Sequence, residues 1–218
     1  MKKELTEHIW SFVTDNKKEL FNQVVNERTR HLTVVLEDVY QPQNASAVIR
    51  SCDCFGIQDL HVIEELNTYT VNPRIVMGAS KWVDILPHPT ATSCIDKLKS
   101  QGYQIVATTP HTDDVSIYDF NPEQKSALFF GTEMNGLSNE VMEKADVFVK
   151  IPMVGFTESF NISVAAALCL NQITHNLRQS DIKWQLSEDE KLDLRLRWAK
   201  SCIRNADIVE AEFIKNHA

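Results

Sequence analysis

The chain reads as an α/β protein, a mostly parallel sheet with helices on both faces, flanked by N- and C-terminal helical arms. Three patterns lead to that reading. Continuous apolar runs such as Leu32-Thr33-Val34-Val35-Leu36 mark strands buried on both faces. Through the middle of the chain such runs alternate with helix-like segments, the rhythm of βαβ units. Charge divides the same way: residues 31–175 hold 8 basic and 17 acidic side chains, while 1–30 hold 6 and 5 and 176–218 hold 8 and 8.

The elements follow in order. Residues 4–27 place Leu5, Ile9, Phe12 and Val13, then Leu20, Phe21, Val24 and Val25, at helical spacing between charges, which predicts an amphipathic arm or helix pair. After the strand at Leu32–Leu36 come helix-like Ala45–Phe55 and strand-like Leu60–Ile63. Helix-like Thr92–Ser100 precedes strands at Ile105–Thr108 and Ala127–Phe130, and helix-like Asn139–Lys144 precedes a strand at Val147–Ile151. Asn161–Leu177 is apolar almost all round, so burial is expected. Asp181–Gln185 reads as a linker, and Ser187-Glu188-Asp189-Glu190 opens a helix to about Lys215 through a capping box. The expected organisation is an arm at 1–30, a central domain at 31–180 and a second arm at 181–218.

Composition excludes several classes. The formal charge of -8 argues against a sequence-blind nucleic-acid coat. Five cysteines, an odd and scattered number, exclude a disulfide scaffold and point to reduced thiols in a cytoplasmic protein. No run of apolar residues is long enough for a membrane span. The histidines show no ligand spacing, and Cys52 and Cys54, two apart on a helix, point to different sides, so no metal is expected.

In a parallel sheet, ligands gather beyond the carboxyl ends of strands, so the loops after Leu36, Thr108, Phe130 and Ile151 are the places to search. Three of the six glycines, Gly131, Gly136 and Gly155, fall in a 25-residue window at two of those strand ends. Gly131 to Gly136 has the glycine spacing of a phosphate loop, but Leu137 stands where its lysine is required, which demotes a nucleotide triphosphatase. In the first loop Asn44 reads as an N-cap or as a group orienting a substrate hydroxyl. Arg50, two turns on, is either a surface side chain or a planar fork for phosphate. Glu133 binds a cationic group or shapes its loop, and Ser159 and Asn161 combine capping with donation to a ligand.

Three segments together resemble a known family: Asn44-Ala45-Ser46-Ala47-Val48-Ile49-Arg50, the stretch Leu128–Leu137, and Ile151-Pro152-Met153-Val154-Gly155 continuing to Ser159-Phe160-Asn161-Ile162-Ser163-Val164-Ala165. In this order they are similar to the motifs of the SpoU/TrmH RNA ribose 2'-O-methyltransferases of the SPOUT superfamily. The resemblance runs from about Leu32 to Leu177. It implies a C-terminal trefoil knot, a homodimer packed through it, and S-adenosylmethionine as methyl donor. By the same resemblance Thr108, Gly131, Ile151, Met153 and Phe160 surround the donor, and Asn44, Arg50, Glu133, Ser159 and Asn161 form the polar catalytic set. Phe160 and Glu158 depart from it, standing where the family most often has leucine and a neutral residue.

Short helical arms without a separate RNA-binding domain resemble the tRNA branch of the family, which methylates a D-loop guanosine, nucleotide 18. Arg28, Arg30 and His31 on the first arm, and Arg197, Lys200 and Arg204 on the last helix, are the expected RNA contacts or else a solvated face. Ribosomal RNA or another tRNA position, a catalytically silent knotted RNA-binding dimer, and a small-molecule enzyme are the alternatives.

Overall fold

The computed structural model describes residues 2–39, 41–65, 78–110, 114–132 and 135–217. They divide into two compact units, Thr29–Trp184 and the pair of terminal segments Met1–Arg28 and Gln185–Ala218.

The larger unit is built on β1 (Leu32–Glu37), β2 (Asp59–Ile63), β3 (Asp84–His88), β4 (Gln104–Thr108), β5 (Val115–Ser116), β6 (Ser126–Phe130) and β7 (Val147–Lys150). They form one sheet in the order β3-β2-β1-β6-β4-β7-β5 with every pairing parallel. Alternation along the strands feeds two cores. Val34, Leu36, Val106, Leu128 and Phe130 face one side, where α3 (Pro42–Cys54) and α6 (Ile162–Gln179) contribute Val48, Ile49, Ala166 and Leu170. Val35, Ile105, Ala127 and Phe129 face the other, against Cys94, Ile95 and Leu98 of α4 (Ala91–Ser100) and Val141 of α5 (Asn139–Lys144). Burial on both faces is why these strands read as unbroken apolar runs.

Two strands were not legible as such. β3, Asp84-Ile85-Leu86-Pro87-His88, contains a proline, which removes a ladder donor and is tolerated because β3 is an edge strand. β5, at the other edge, is two residues long.

Three helices differ from expectation. The N-cap of α3 is Gln41 with Pro42 in the first turn, so Asn44 lies inside the helix and is buried. Proline suits that first position because its missing N–H would be unpaired there anyway. α6 is not buried all round: Ile162, Ala166, Cys169, Leu170, Ile173 and Leu177 pack inward, while Val164 and Leu168 remain 44% and 40% exposed. The final helix is two helices, α7 (Glu188–Cys202) and α8 (Ala206–His217), separated at Asn205, whose φ of 60° is left-handed. Asparagine tolerates that conformation and so ends helices.

α7 and α8 belong to the second unit with α1 (Lys2–Trp10) and α2 (Asp15–Asn26). Its centre is the buried Trp198, with the Phe21 ring 5.7 Å away and the Arg28 guanidinium 5.5 Å from the indole centroid. The Ser187 and Glu190 capping box opens α7 as the sequence predicts. None of the five cysteines is in a disulfide; Cys52 is buried and Cys54 exposed, as a two-residue offset on a helix requires. Among the described residues no helix is long and apolar enough to cross a membrane.

Candidate functional site

Strands β1, β2 and β3 run outward on one side of the sheet and β6, β4, β7 and β5 on the other, so the strand order reverses direction at β1 and β6. A crevice opens beyond the carboxyl ends of strands at such a point. It is occupied here by a cavity of about 590 Å³, walled by residues at the ends of β4, β6 and β7 and the start of α6, with Gln41 after β1. That volume is in the range of small-molecule sites.

The wall at β6 depends on Gly131. A Cβ there would stand 2.1 Å from the Gly136 carbonyl oxygen and 2.4 Å from the Leu137 nitrogen. The loop closes on itself through Thr132 N–H to Gly136 O and Gly136 N–H to Thr132 O, both 2.9 Å. Backbone therefore lines this wall where a side chain would block it. Behind it, Glu37 at the end of β1 accepts from the Ser138 N–H at 2.9 Å and the Ser138 hydroxyl at 2.6 Å. That contact anchors the start of α5, directly after the loop. Burial pushes the Glu37 carboxyl above the ordinary carboxylate range, against the lowering effect of the two Ser138 hydrogen bonds.

The wall at β7 and α6 carries the polar groups. Asn161 caps α6, its Oδ1 accepting from Ser163 N–H at 2.9 Å, and its Nδ2 donates to Asn44 Oδ1 at 3.1 Å. One side chain thus holds the helix start and the buried asparagine of α3 together. Thr108 donates its hydroxyl to Phe129 O at 2.7 Å, tying β4 to β6 at the cavity floor.

The structure brings Thr108, Gly131, Ile151, Met153 and Phe160 to the walls of this single cavity, along with Ser159 and Asn161. Asn44 joins them through its bond to Asn161. Arg50 lies exposed on α3, outside the cavity walls, and Glu133 lies outside the described residues. Gln41 and Glu37 carry no mark in the sequence. Gln41 is in the loop after β1, but nothing in its type marks it, and Glu37 acts through a residue 101 positions away.

Four of the six side chains expected to touch RNA have partners within the protein. Arg28 is buried against Trp198. Arg30 pairs with Asp59 at 2.9 Å and Asp84 at 3.0 Å, the first residues of β2 and β3, and His31 Nε2 meets Pro122 O at 2.7 Å. In a parallel sheet these strand starts lie at the edge opposite the cavity. On the terminal unit Lys200 pairs with Glu210, and Arg204 falls in the break after α7 instead of on its stripe. Arg197 and Arg204 are exposed.

The histidines lack ligand spacing along the chain, yet His61, His88 and Cys94 meet in space, with potential ligand atoms within 4.8 Å of one another. His61 Nδ1 and His88 Nε2 are 2.9 Å apart and the rings stack. Desolvation lowers both imidazoles, His61 to about 3, and raises the Cys94 thiol to about 12. His61 and His88 are hydrogen-bonded to each other within the core, beside the buried Cys94.

Against known proteins, a model of the SpoU rRNA Methylase family matches residues 31–171. A tRNA (guanosine(18)-2'-O)-methyltransferase of Borreliella burgdorferi is 45% identical over 199 residues, 91% of this chain and 91% of the relative. An enzyme of the same name from Thermus thermophilus is 33% identical over 157 residues, 72% of this chain and 81% of the relative. The crystal structure of the A. aeolicus TrmH/SpoU tRNA modifying enzyme superposes with a TM-score of 0.79 at 28% identity, covering 87% of this chain and 98% of that one. The SpoU methyltransferase AviRb from Streptomyces viridochromogenes, in complex with AdoMet, gives 0.64 at 25% identity over 72% and 65% of the two chains.

Proposed function

The chain belongs to the SpoU methylase family, and on that premise we propose that it methylates a tRNA ribose 2'-hydroxyl, at guanosine 18, using S-adenosylmethionine. The observation that carries this reading is the cavity at the strand ends, where Thr108, Gly131, Ile151, Met153 and Phe160 converge beside Ser159 and the Asn161–Asn44 pair. Its residues fit the donor. Phe130, Ile151 and Ile162 offer apolar wall to an adenosyl group, while the close-packed Gly131 loop offers backbone polar groups without obstruction. When bound, S-adenosylmethionine supplies an electrophilic methyl carbon on a sulfonium sulfur.

The chain's own work is positioning and charge control. Asn44 and Asn161, held to each other, orient the ribose hydroxyl, with Ser159 beside them. In-line placement of the hydroxyl supplies most of the acceleration. Arg50 stays protonated in proteins and is a poor base. Its exposure on α3 supports a role in clamping an incoming RNA phosphate and stabilising the forming alkoxide, the proton leaving through that phosphate. Arg197 and Arg204, exposed on the terminal unit, track phosphates elsewhere on the tRNA.

The reading includes a homodimer. Val164 and Leu168, four residues apart on α6 and 44% and 40% exposed, form an apolar stripe suited to a second copy, with Phe160, 41% exposed, just before the helix. It also includes the trefoil knot that membership of the family implies. The test is incubation with labelled S-adenosylmethionine and unmodified total tRNA or rRNA, followed by mapping of ribose methylation. Label at guanosine 18 of tRNA is expected. Label in rRNA alone overturns the substrate assignment, and no label despite donor binding leaves the silent RNA-binding dimer.

A further inference from the structure

The loop between β7 and α6 holds two side chains that the rest of its unit leaves open. Val154 and Phe156 are 106% and 108% exposed, as open as in an extended peptide. Single exposed apolar residues are ordinary on a protein surface. These two differ in their neighbours: they flank Gly155 and lie between Met153 and Ser159, both of which line the cavity. With consecutive Cα atoms about 3.8 Å apart, Phe156 is held within about 11 Å of each of those wall residues.

We infer that Phe156 is a stacking platform for a nucleobase of the RNA substrate at the mouth of the cavity, with Val154 as its apolar flank; the inference rests on the methyltransferase reading above. The chemistry places the base there. A ribose hydroxyl that takes a methyl group must reach the cavity, and its base is one glycosidic bond from the reacting sugar. The charge balance favours a non-ionic contact beside the one phosphate clamp assigned to Arg50. Residues 31–175 hold 8 basic and 17 acidic groups, and Arg30 and His31 are committed at the opposite edge of the sheet. Phosphate neutralisation is therefore scarce around this site. Aromatic stacking holds a base without a cation and tolerates any base, because each presents a π-face. The apolar stripe of α6 has a different form, half-covered and helical, which suits a flat protein face; Phe156 stands clear of that helix.

The test compares wild type with Phe156→Ala, Phe156→Trp and Val154→Ala. RNA affinity is measured by fluorescence anisotropy on an unmodified tRNA transcript, donor affinity by calorimetry with S-adenosylhomocysteine, mass by light scattering, and methyl transfer by steady-state kinetics. Phe156→Ala is expected to weaken RNA affinity and raise the KM for tRNA by about 5- to 50-fold. Donor affinity and mass stay at wild-type values, Phe156→Trp restores binding, and Val154→Ala has the smaller effect. The slope of affinity against salt stays the same, because no phosphate contact is removed. Unchanged RNA affinity in Phe156→Ala overturns the inference, and a drop in mass overturns it in favour of a second copy as the occupant. If wild type labels no RNA, the methyltransferase reading falls, and the anisotropy comparison still decides the stacking.

Discussion

Gly131→Ala tests the cavity wall directly. The added methyl carbon would stand 2.1 Å from the Gly136 carbonyl oxygen and 2.2 Å from its carbon. Non-bonded atoms separate by about 3.5 Å, so one side of the loop must move by more than about 1 Å. Both obstructing atoms are backbone, which no rotamer change relieves. The movement breaks the paired Thr132 and Gly136 hydrogen bonds, each worth about 0.5 to 1.5 kcal/mol, for a local loss of about 1 to 3 kcal/mol. Loss of the wall should weaken donor binding at least about tenfold, and misplacement of about 1 Å near reacting atoms costs about 100-fold in turnover. Calorimetry with S-adenosylhomocysteine reads the first, single-turnover methyl transfer the second, and urea unfolding the stability. The loop lies at the rim of the sheet, so the main unfolding transition should persist. A variant that folds and binds the donor with wild-type affinity would refute the idea that the closed glycine loop forms the wall.

Three further outcomes follow from the same geometry. Arg50→Ala should lower turnover by about 100- to 1,000-fold with donor affinity unchanged, the pattern of a group that stabilises charge developing on the acceptor; equal losses in both, by calorimetry and kinetics, contradict the phosphate-clamp role. Asn161→Ala removes the cap of α6 and the bond to Asn44, so thermal unfolding should show a loss of about 1 kcal/mol together with a fall in kcat; an unchanged kcat would reduce Asn161 to a cap. The His61–His88 pair should make the fold acid-sensitive. Both imidazoles are lowered by burial, so as pH falls below about 6.5 the unfolded chain takes up protons that the fold refuses. Stability then declines by up to about 1.4 kcal/mol per pH unit through His61, from about pH 6.5 toward about pH 3, with His88 acting in the same direction. A urea midpoint that stays level from about pH 7 to about pH 5 contradicts a neutral buried pair.

The match between sequence and structure follows the range of the interactions involved. Strands such as Leu32–Glu37 were legible because burial on both faces leaves an apolar run, and α7 because its capping box is a contact three residues long. β3 was hidden by Pro87, acceptable only at an edge, and edge position is a property of the assembled sheet. The Asn44 boundary failed because Pro42 two residues earlier is the stronger start signal and the asparagine is used elsewhere. His61, His88 and Cys94 carry no local pattern, since their elements meet only when β2, β3 and α4 pack.

Local order along the chain was enough to specify alternating strands and helices, helical termini, the loops at strand ends where a ligand would gather, and the three motifs that carry the family resemblance. Those features depend on backbone preferences and on periodicities that a few consecutive residues express. Assembly decided the rest: which strands neighbour one another, that the loops after β4, β6 and β7 enclose one cavity, and that Arg28, Arg30 and His31 serve the protein's own contacts. A cation's availability and a cavity's walls depend on what packs beside them, and partners such as Asp59 and Asp84 are 29 and 54 residues from Arg30.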